Sequence, residues 1–328
     1  MSLLYAKNLP QGSSNYVKAV AIVGAGGQIG KLIAEALVKT GKHDVTAITR
    51  QGSTNEIPQG VTAAVVDYND ETSLVSALKG KEFLIITLSL SAPADTHSKL
   101  VRAAAEAGVT YVIANAYGVD VYGKESLRKD LPVGEKIVSN IRHAEETGLT
   151  WFAFFTGPWY EYSLTVGPEL LGFDLKTRTA TFYDDGTTAV NFSTLPQIAR
   201  AVAALLSLKK FPADEDDGSV TLSQFANGPV YVSSFHLSQR DVLESLKRVT
   251  KTRDSEWRIT YESTEERYKE GMRLIAEGKL EGFGKSLFAR AFYPNGDGTY
   301  EDVNKLLGLP EEDLDGATLA AINSSIRT

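Results

Sequence analysis

The stretch Val20-Ala-Ile-Val-Gly24-Ala-Gly-Gly27-Gln-Ile-Gly30-Lys-Leu-Ile33 decides how this chain is read. An apolar run of strand character ends in a glycine-rich turn and opens directly into a helical pattern. The glycines have separate tasks. Gly24 permits a tight turn, Gly27 lets the backbone come close to a pyrophosphate, and Gly30 lets the helix pack on the strand. The helix N-terminus, with Gln28 and Ile29 in its first turn, would supply N–H donors and positive potential to the same group. The spacing is GxxGxxG rather than GxGxxG. A glycine turn without a ligand is the plain alternative, and the agreement of strand, turn and helix argues against it.

Working outward, apolar runs of strand length at 44–49, 62–67, 83–88, 110–115 and 150–155 alternate with helical patterns at 31–40, 71–79, 97–107 and 135–147. Gly41, Gly80, Gly108 and Gly148 each follow a helix, where a left-handed cap favours glycine. Strict β-α-β alternation implies a parallel sheet covered on both faces, an α/β Rossmann fold of the doubly wound kind. We place it at residues 17–158, after a polar arm at 1–16. Beyond it the regularity stops. Short strands (180–183, 190–193, 230–235, 257–261) mix with helices (238–250, 264–277, 284–291, 311–327), so 159–328 reads mainly as a smaller C-terminal α+β substrate lobe. The helix at 195–208 is expected to pack back on the first domain.

Composition narrows the function. With 328 residues, 43% of them hydrophobic, the chain will bury a large core, in about two domains. The net charge of −7 and the absence of a basic run disfavour nucleic acid. No cysteine is present, which excludes thiol nucleophiles, zinc–thiolate sites and iron–sulfur clusters. The four histidines show no paired metal spacing, and no G-x-S-x-G elbow occurs. No segment reads as a signal peptide or a membrane span, so a cytoplasmic protein is expected.

The site residues follow from position. Where an NAD site carries an acidic residue, the second strand here ends Thr46-Ala-Ile-Thr49-Arg50-Gln51. A guanidinium pairs with a 2′-phosphate that a carboxylate would repel, so NADP(H) is the expected cofactor. Asp67 and Tyr68 close the third strand, where adenine would lie. Ligands of such sheets lie outside the carboxyl ends of the strands, which puts Thr87, Leu88, Ser89 and Asn115 on the nicotinamide side. Ser89 and Asn115 suit ribose or carboxamide. For proton transfer, Lys136 starts the helix before the sixth strand and so belongs at the cofactor edge. Tyr122 and Tyr162, with Tyr117 and Tyr160, are alternative acids from the same edge.

Longer blocks carry a resemblance: Tyr5-Ala-Lys-Asn-Leu-Pro10, Val20–Gly30, Gly41-Lys-His-Asp-Val-Thr-Ala-Ile-Thr-Arg50, Asp67-Tyr-Asn-Asp70, Trp159-Tyr-Glu-Tyr-Ser-Leu164, Thr181-Phe-Tyr-Asp-Asp-Gly186 and Leu307-Gly-Leu-Pro-Glu-Glu-Asp-Leu-Asp315. Over nearly its whole length the chain resembles the NmrA-like, isoflavone-reductase-like branch of the short-chain dehydrogenases, in particular a fungal, CipA-like oxidoreductase group. The resemblance implies an NADPH-dependent reductase with a small lobe over the nicotinamide and a small aromatic or polycyclic substrate, in secondary metabolism. It also leaves open a non-catalytic NADP-binding sensor of the NmrA regulatory type, acting through a protein partner. The Tyr-x-x-x-Lys pair of ordinary short-chain dehydrogenases is absent, because Pro132 stands four residues before Lys136. Isoflavone-reductase-like enzymes use a lysine at the start of this helix, upstream of an Arg and a Glu matching Arg142 and Glu145. Aligned on Gly148 that lysine falls on Ile137, about 100° of helix rotation from Lys136. A homodimer is the base-rate expectation.

Overall fold

The computed structural model describes residues 5–325, so the first four residues of the expected arm and residues 326 and 327 of the expected last helix lie outside it. Its strands are β1 Ala19–Val23, β2 Asp44–Arg50, β3 Thr62–Val66, β4 Phe83–Ile86, β5 Tyr111–Gly118, β6 Thr150–Phe155, β7 Phe173–Asp174, β8 Thr179–Tyr183, β9 Ala189–Phe192, β10 Gly228–Tyr231, β11 Phe235–Ser238 and β12 Arg258–Glu262. Its helices are α1 Gln28–Thr40, α2 Glu71–Leu78, α3 Thr96–Glu106, α4 Glu125–Asp130, α5 Gly134–Glu146, α6 Tyr160–Thr165, α7 Pro168–Leu171, α8 Leu195–Leu206, α9 Gln239–Thr250, α10 Thr264–Ala276, α11 Glu281–Ala291 and α12 Leu314–Ser325.

The central sheet runs β10-β6-β5-β4-β1-β2-β3, every neighbouring pair parallel. Alternation along β1 feeds two cores. Val20 and Ile22 face Ile33 and Leu37 of α1 and Ile198, Val202 and Leu205 of α8. Ala21 and Val23 face the other side, with Leu74 of α2, Leu100 and Ala104 of α3, and Val138, Ile141 and Ala144 of α5. The strand order reverses between β1 and β4, and the crevice outside the carboxyl ends of the strands opens there.

Two strand readings change. The run 230–235 is not one strand: β10 pairs with β6 as the seventh strand of the main sheet, and β11 pairs antiparallel with β9. Between them the backbone changes partner, with Val232 N–H donating to Phe155 O (3.0 Å) and Ser234 N–H to Phe192 O (2.7 Å). The main sheet thus takes β10 from the stretch read as mainly lobe, and α8 packs on its α1 face. The fifth strand also runs past Asn115 to Gly118, through a register shift between Ile113 and Tyr117. Asn115 sits in that shift at φ 52°.

The lobe holds the sheet β12-β8-β7 and the pair β11-β9. Its core gathers Tyr160, Phe182, Tyr183, Phe192, Val242, Leu246, Phe288 and Phe292. The described part of the N-terminal arm lies along the charged loop after α8. Ala6 N–H donates to Pro212 O (2.8 Å), and Asn15 exchanges side-chain hydrogen bonds with the backbone of Phe211 (2.8 and 3.0 Å).

The face under α3 and α5 holds an acid-sensitive contact. His97 and His143 meet with ring centroids 5.8 Å apart, and among the described residues neither ring nitrogen of His97, 4% exposed, has a hydrogen-bond partner. Burial, and secondarily the charge of His143, lowers the His97 pKa from 6.5 to about 3. A histidine with a depressed folded pKa takes up protons more readily when unfolded, so stability falls as pH drops from 6.5 towards that value, by up to about 1.4 kcal/mol per unit. His97→Phe is expected to flatten this slope. Urea unfolding should show the variant gaining on wild type as pH falls through the range about 6 to 4.5.

Candidate active site

At the glycine turn the absence of side chains is enforced by contact. Gly24 has φ +83°, and a methyl built there would lie 2.4 Å from Thr87 O. A methyl on Gly30 would lie 2.1 Å from Gly24 O and 2.6 Å from Thr87 Oγ1. The Thr87 hydroxyl donates to Val23 O (2.7 Å), tying the end of β4 to β1 at the switch point. Gly27 is the N-cap of α1 and offers no side chain to cap it. Among the described residues no protein group accepts from the N–H groups of Gln28, Ile29 or Gly30. A helix N-terminus with free donors, reached through glycines, fits a pyrophosphate.

At the adenosine end Arg50 closes β2, exposed and without an ion pair among the described residues. Burial raises the pKa of the half-buried Tyr68 phenol, and the positive charge of Arg50 nearby pulls it the other way. A guanidinium without an ion pair at the end of β2 suits a phosphorylated adenosine. The Asp67 carboxylate is engaged in its own turn, accepting from Asn69 N–H (2.9 Å).

At the other end, Leu88 N–H donates to Asn115 Oδ1 (3.0 Å), so the loop after β4 is bridged to β5 by the residue in the register shift. Ser89 Oγ lies 2.8 Å from Ser91 Oγ within the β4–α3 loop. Lys136 occupies the first turn of α5 and donates from Nζ to Leu90 O (2.9 Å) in that loop. The α5 start is pressed against the preceding turn, since a methyl on Gly134 would lie 2.1 Å from Arg128 O. Tyr162, on α6, meets Trp159 edge-on at 6.4 Å, and Trp159 Nε1 donates to Tyr117 O (2.7 Å) near the carboxyl end of β5. Leu90 in the β4–α3 loop, Tyr162 on α6 and Val166 just after α6 are exposed apolar side chains.

The other tyrosines sit elsewhere. Tyr122 meets Trp151 edge-on at 5.5 Å, and Trp151 Nε1 donates to Glu145 (3.1 Å) in the last turn of α5, at the opposite end from Lys136. The cause is a turn: the Asp120 carboxylate accepts from Gly123 N–H (2.7 Å) and from Tyr231 OH (3.0 Å), folding the chain back after β5. This geometry withdraws Tyr122 as a proton donor at the crevice. Tyr117 is a strand residue whose phenol is buried with no hydrogen-bond partner among the described residues, and burial pushes its pKa up. Tyr160 is buried in the lobe, its hydroxyl 2.6 Å from Thr318 Oγ1. Among the described residues no cluster of His, Asp or Glu could hold a metal ion.

Sequence reasoning missed two features of the crevice. One is the Asn115 bridge. The other is Gly26, where a methyl would lie 2.6 Å from Asn55 Cβ, so the chain after β2 rests on the glycine turn. The signal for the second was a turn glycine with no assigned task.

Residues 17–154 match the family model described as NmrA-like family. Oxidoreductase aprR of Aspergillus flavus is 28% identical over 305 residues, covering 90% of this chain and 96% of that protein. In structure the chain resembles a crystal structure of isoflavone reductase (TM-score 0.72, 20% identity, 94% of this chain and 100% of that one). It also resembles an NADPH-dependent quinone oxidoreductase from Escherichia coli complexed with NADPH (TM-score 0.67, 20% identity, 93% and 100%).

Proposed function

From the match of residues 17–154 to the NmrA-like family model and the similarity to oxidoreductase aprR, we propose that the chain is an NADPH-dependent reductase of a small, flat, apolar substrate. The observation that carries the reading is the donor set at the switch point that has no partner among the described residues: the first N–H groups of α1 and the Arg50 guanidinium at the end of β2. In this reading Gly24, Gly27, Gln28, Ile29 and Gly30 hold the pyrophosphate, Arg50 the 2′-phosphate, and Tyr68 borders adenine. Ser89 and Asn115 border the nicotinamide. When bound, the cofactor supplies the hydride, and the protein supplies position and electrostatics. Lys136 holds a proton at Nζ, 2.9 Å from Leu90 O, and can hand it to a reduced substrate lying on that loop. Leu90, Tyr162 and Val166 exclude water and favour a flat conjugated ring system. Relatives named for quinones and isoflavones support that substrate class, and secondary metabolism is the setting the resemblance implies. No helix among the described residues is long and apolar enough to cross a membrane, and we place the activity in the cytoplasm.

The test is a titration of NADPH and NADH by quenching of the three tryptophans, followed by deuterium transfer from 4-deuterated NADPH to a panel of quinones and enones. NADPH is expected to bind at least about tenfold tighter than NADH, ~1.4 kcal/mol, and Arg50→Ala to remove the gap. Lys136→Met is expected to lower turnover about a hundredfold with NADPH affinity unchanged. Tight binding without transfer to any acceptor would replace the reductase with a redox sensor. Absence of nucleotide binding would remove both readings.

A further inference from the structure

Gly26 differs from its neighbours in what keeps it a glycine. Methyls on Gly24, Gly27 and Gly30 would meet the turn itself or Thr87, whereas one on Gly26 would meet Asn55 Cβ at 2.6 Å and Glu56 O at 3.0 Å. The segment that approaches so closely leaves β2 at Arg50. It turns at Gly52 (φ +74°), where Ser53 N–H donates to Arg50 O (3.2 Å). After crossing the glycine turn it is anchored again, by Ile57 against the α1-side core and by buried Pro58, whose carbonyl accepts from Val61 N–H (3.2 Å). Between these two fixed points Thr54, Asn55 and Glu56 are exposed, and no hydrogen bond holds the Asn55 side chain among the described residues. Contact with Gly26 is what seats them.

We infer that residues 53–56 form a strap over the adenosine half of the crevice, and that Gly26 and Asn55 together set how long the dinucleotide stays bound. The inference rests on the cofactor reading above. The strap begins beside the guanidinium assigned to the 2′-phosphate and ends on the turn assigned to the pyrophosphate, so it spans the two charged groups of the adenosine moiety. Release requires it to lift about Gly52. A side chain at position 26 props it open, because packed groups cannot absorb an overlap of this size without moving apart.

The variant Gly26→Ala tests this by stopped-flow, following tryptophan fluorescence as bound NADPH is displaced by excess NADP+. The dissociation rate is expected to rise about tenfold or more, with the unfolding midpoint little changed. Asn55→Gly added to Gly26→Ala removes the colliding atom, so the double variant is expected to release NADPH more slowly than Gly26→Ala alone, a coupling read from the four-membered cycle. Additive effects would mean that Gly26 serves the nucleotide directly, and the strap would be abandoned. A second readout avoids variants: a glutamate-specific protease should cut wild type after Glu56, and saturating NADPH should slow that cut at least about tenfold. Unprotected Glu56 with NADPH bound overturns the strap alone. No NADPH binding by wild type overturns the cofactor reading instead.

Discussion

Gly30→Ala is expected to abolish nucleotide binding and to cost about 3 kcal/mol of folding stability. The added methyl would come within 2.1 Å of Gly24 O and 2.6 Å of Thr87 Oγ1. Neither atom is free to yield. Gly24 O accepts from Gly27 N–H (2.8 Å) to close the turn, and Thr87 Oγ1 is committed to Val23 O (2.7 Å). Helix α1 must therefore back away from β1, carrying its N-terminal donors out of line and opening the contact of Ile33 and Leu37 with the sheet. Urea unfolding and an NADPH titration read the two consequences separately. Gly41→Ala is the control: its position also has positive φ (+67°), but nothing lies within 4 Å of the added methyl. It should cost about 1 kcal/mol and leave nucleotide binding intact.

The second large effect is expected at Arg290, whose side chain is 2% exposed in α11. Its Nε donates to Asp130 Oδ2 and its Nη2 to Asp297 Oδ2, both at 2.6 Å, and its guanidinium stacks on Tyr293 at 4.8 Å. Asp130 ends α4, so this network fastens the lobe to the segment that leads into the Lys136 helix. Arg290→Met leaves a largely buried carboxylate uncompensated, and a loss of about 3–5 kcal/mol is expected in urea unfolding. Adding Asp297→Asn should recover part of it. Acid supplies an independent check. Burial raises the Asp297 pKa, but hydrogen bonds from Arg290, Ser126 and Asn295 outweigh it and hold the carboxyl below its ordinary 3.8. A carboxylate with a depressed folded pKa contributes stability above the unfolded value and loses it as pH falls through the folded one. The gap between wild type and Arg290→Met should thus be full near neutrality and shrink below about pH 4.

Sequence patterns revealed those parts of the molecule whose causes are local. The first six strands show themselves through apolar alternation with helices. The glycine turn between β1 and α1 is equally local, as is the place of Arg50 at the end of β2. What stayed hidden depends on distant partners. β10 is four residues long, begins Gly-Pro, and is a sheet strand only because β6 accepts it across a long separation in sequence. Tyr122 lies away from Lys136 because the turn that Asp120 closes with Gly123 is anchored by the distant Tyr231. The reach of the Lys136 side chain from the first turn of α5 to Leu90 O is likewise a contact between distant segments. The contact between Gly26 and Asn55 joins two loops that no periodicity connects.

The path of the chain between sheet and lobe limits how the crevice opens. It leaves the sheet after β6, returns to pack α8 beside α1, adds β10, and leaves again into β11. The two bodies are thus stitched together rather than tethered by a single linker, and a swing of one against the other would shear several connections at once. In the proposed function, cofactor and substrate then exchange through the rim, by movements of short segments, so the pace of ligand exchange is written in loop residues that bear little of the fold.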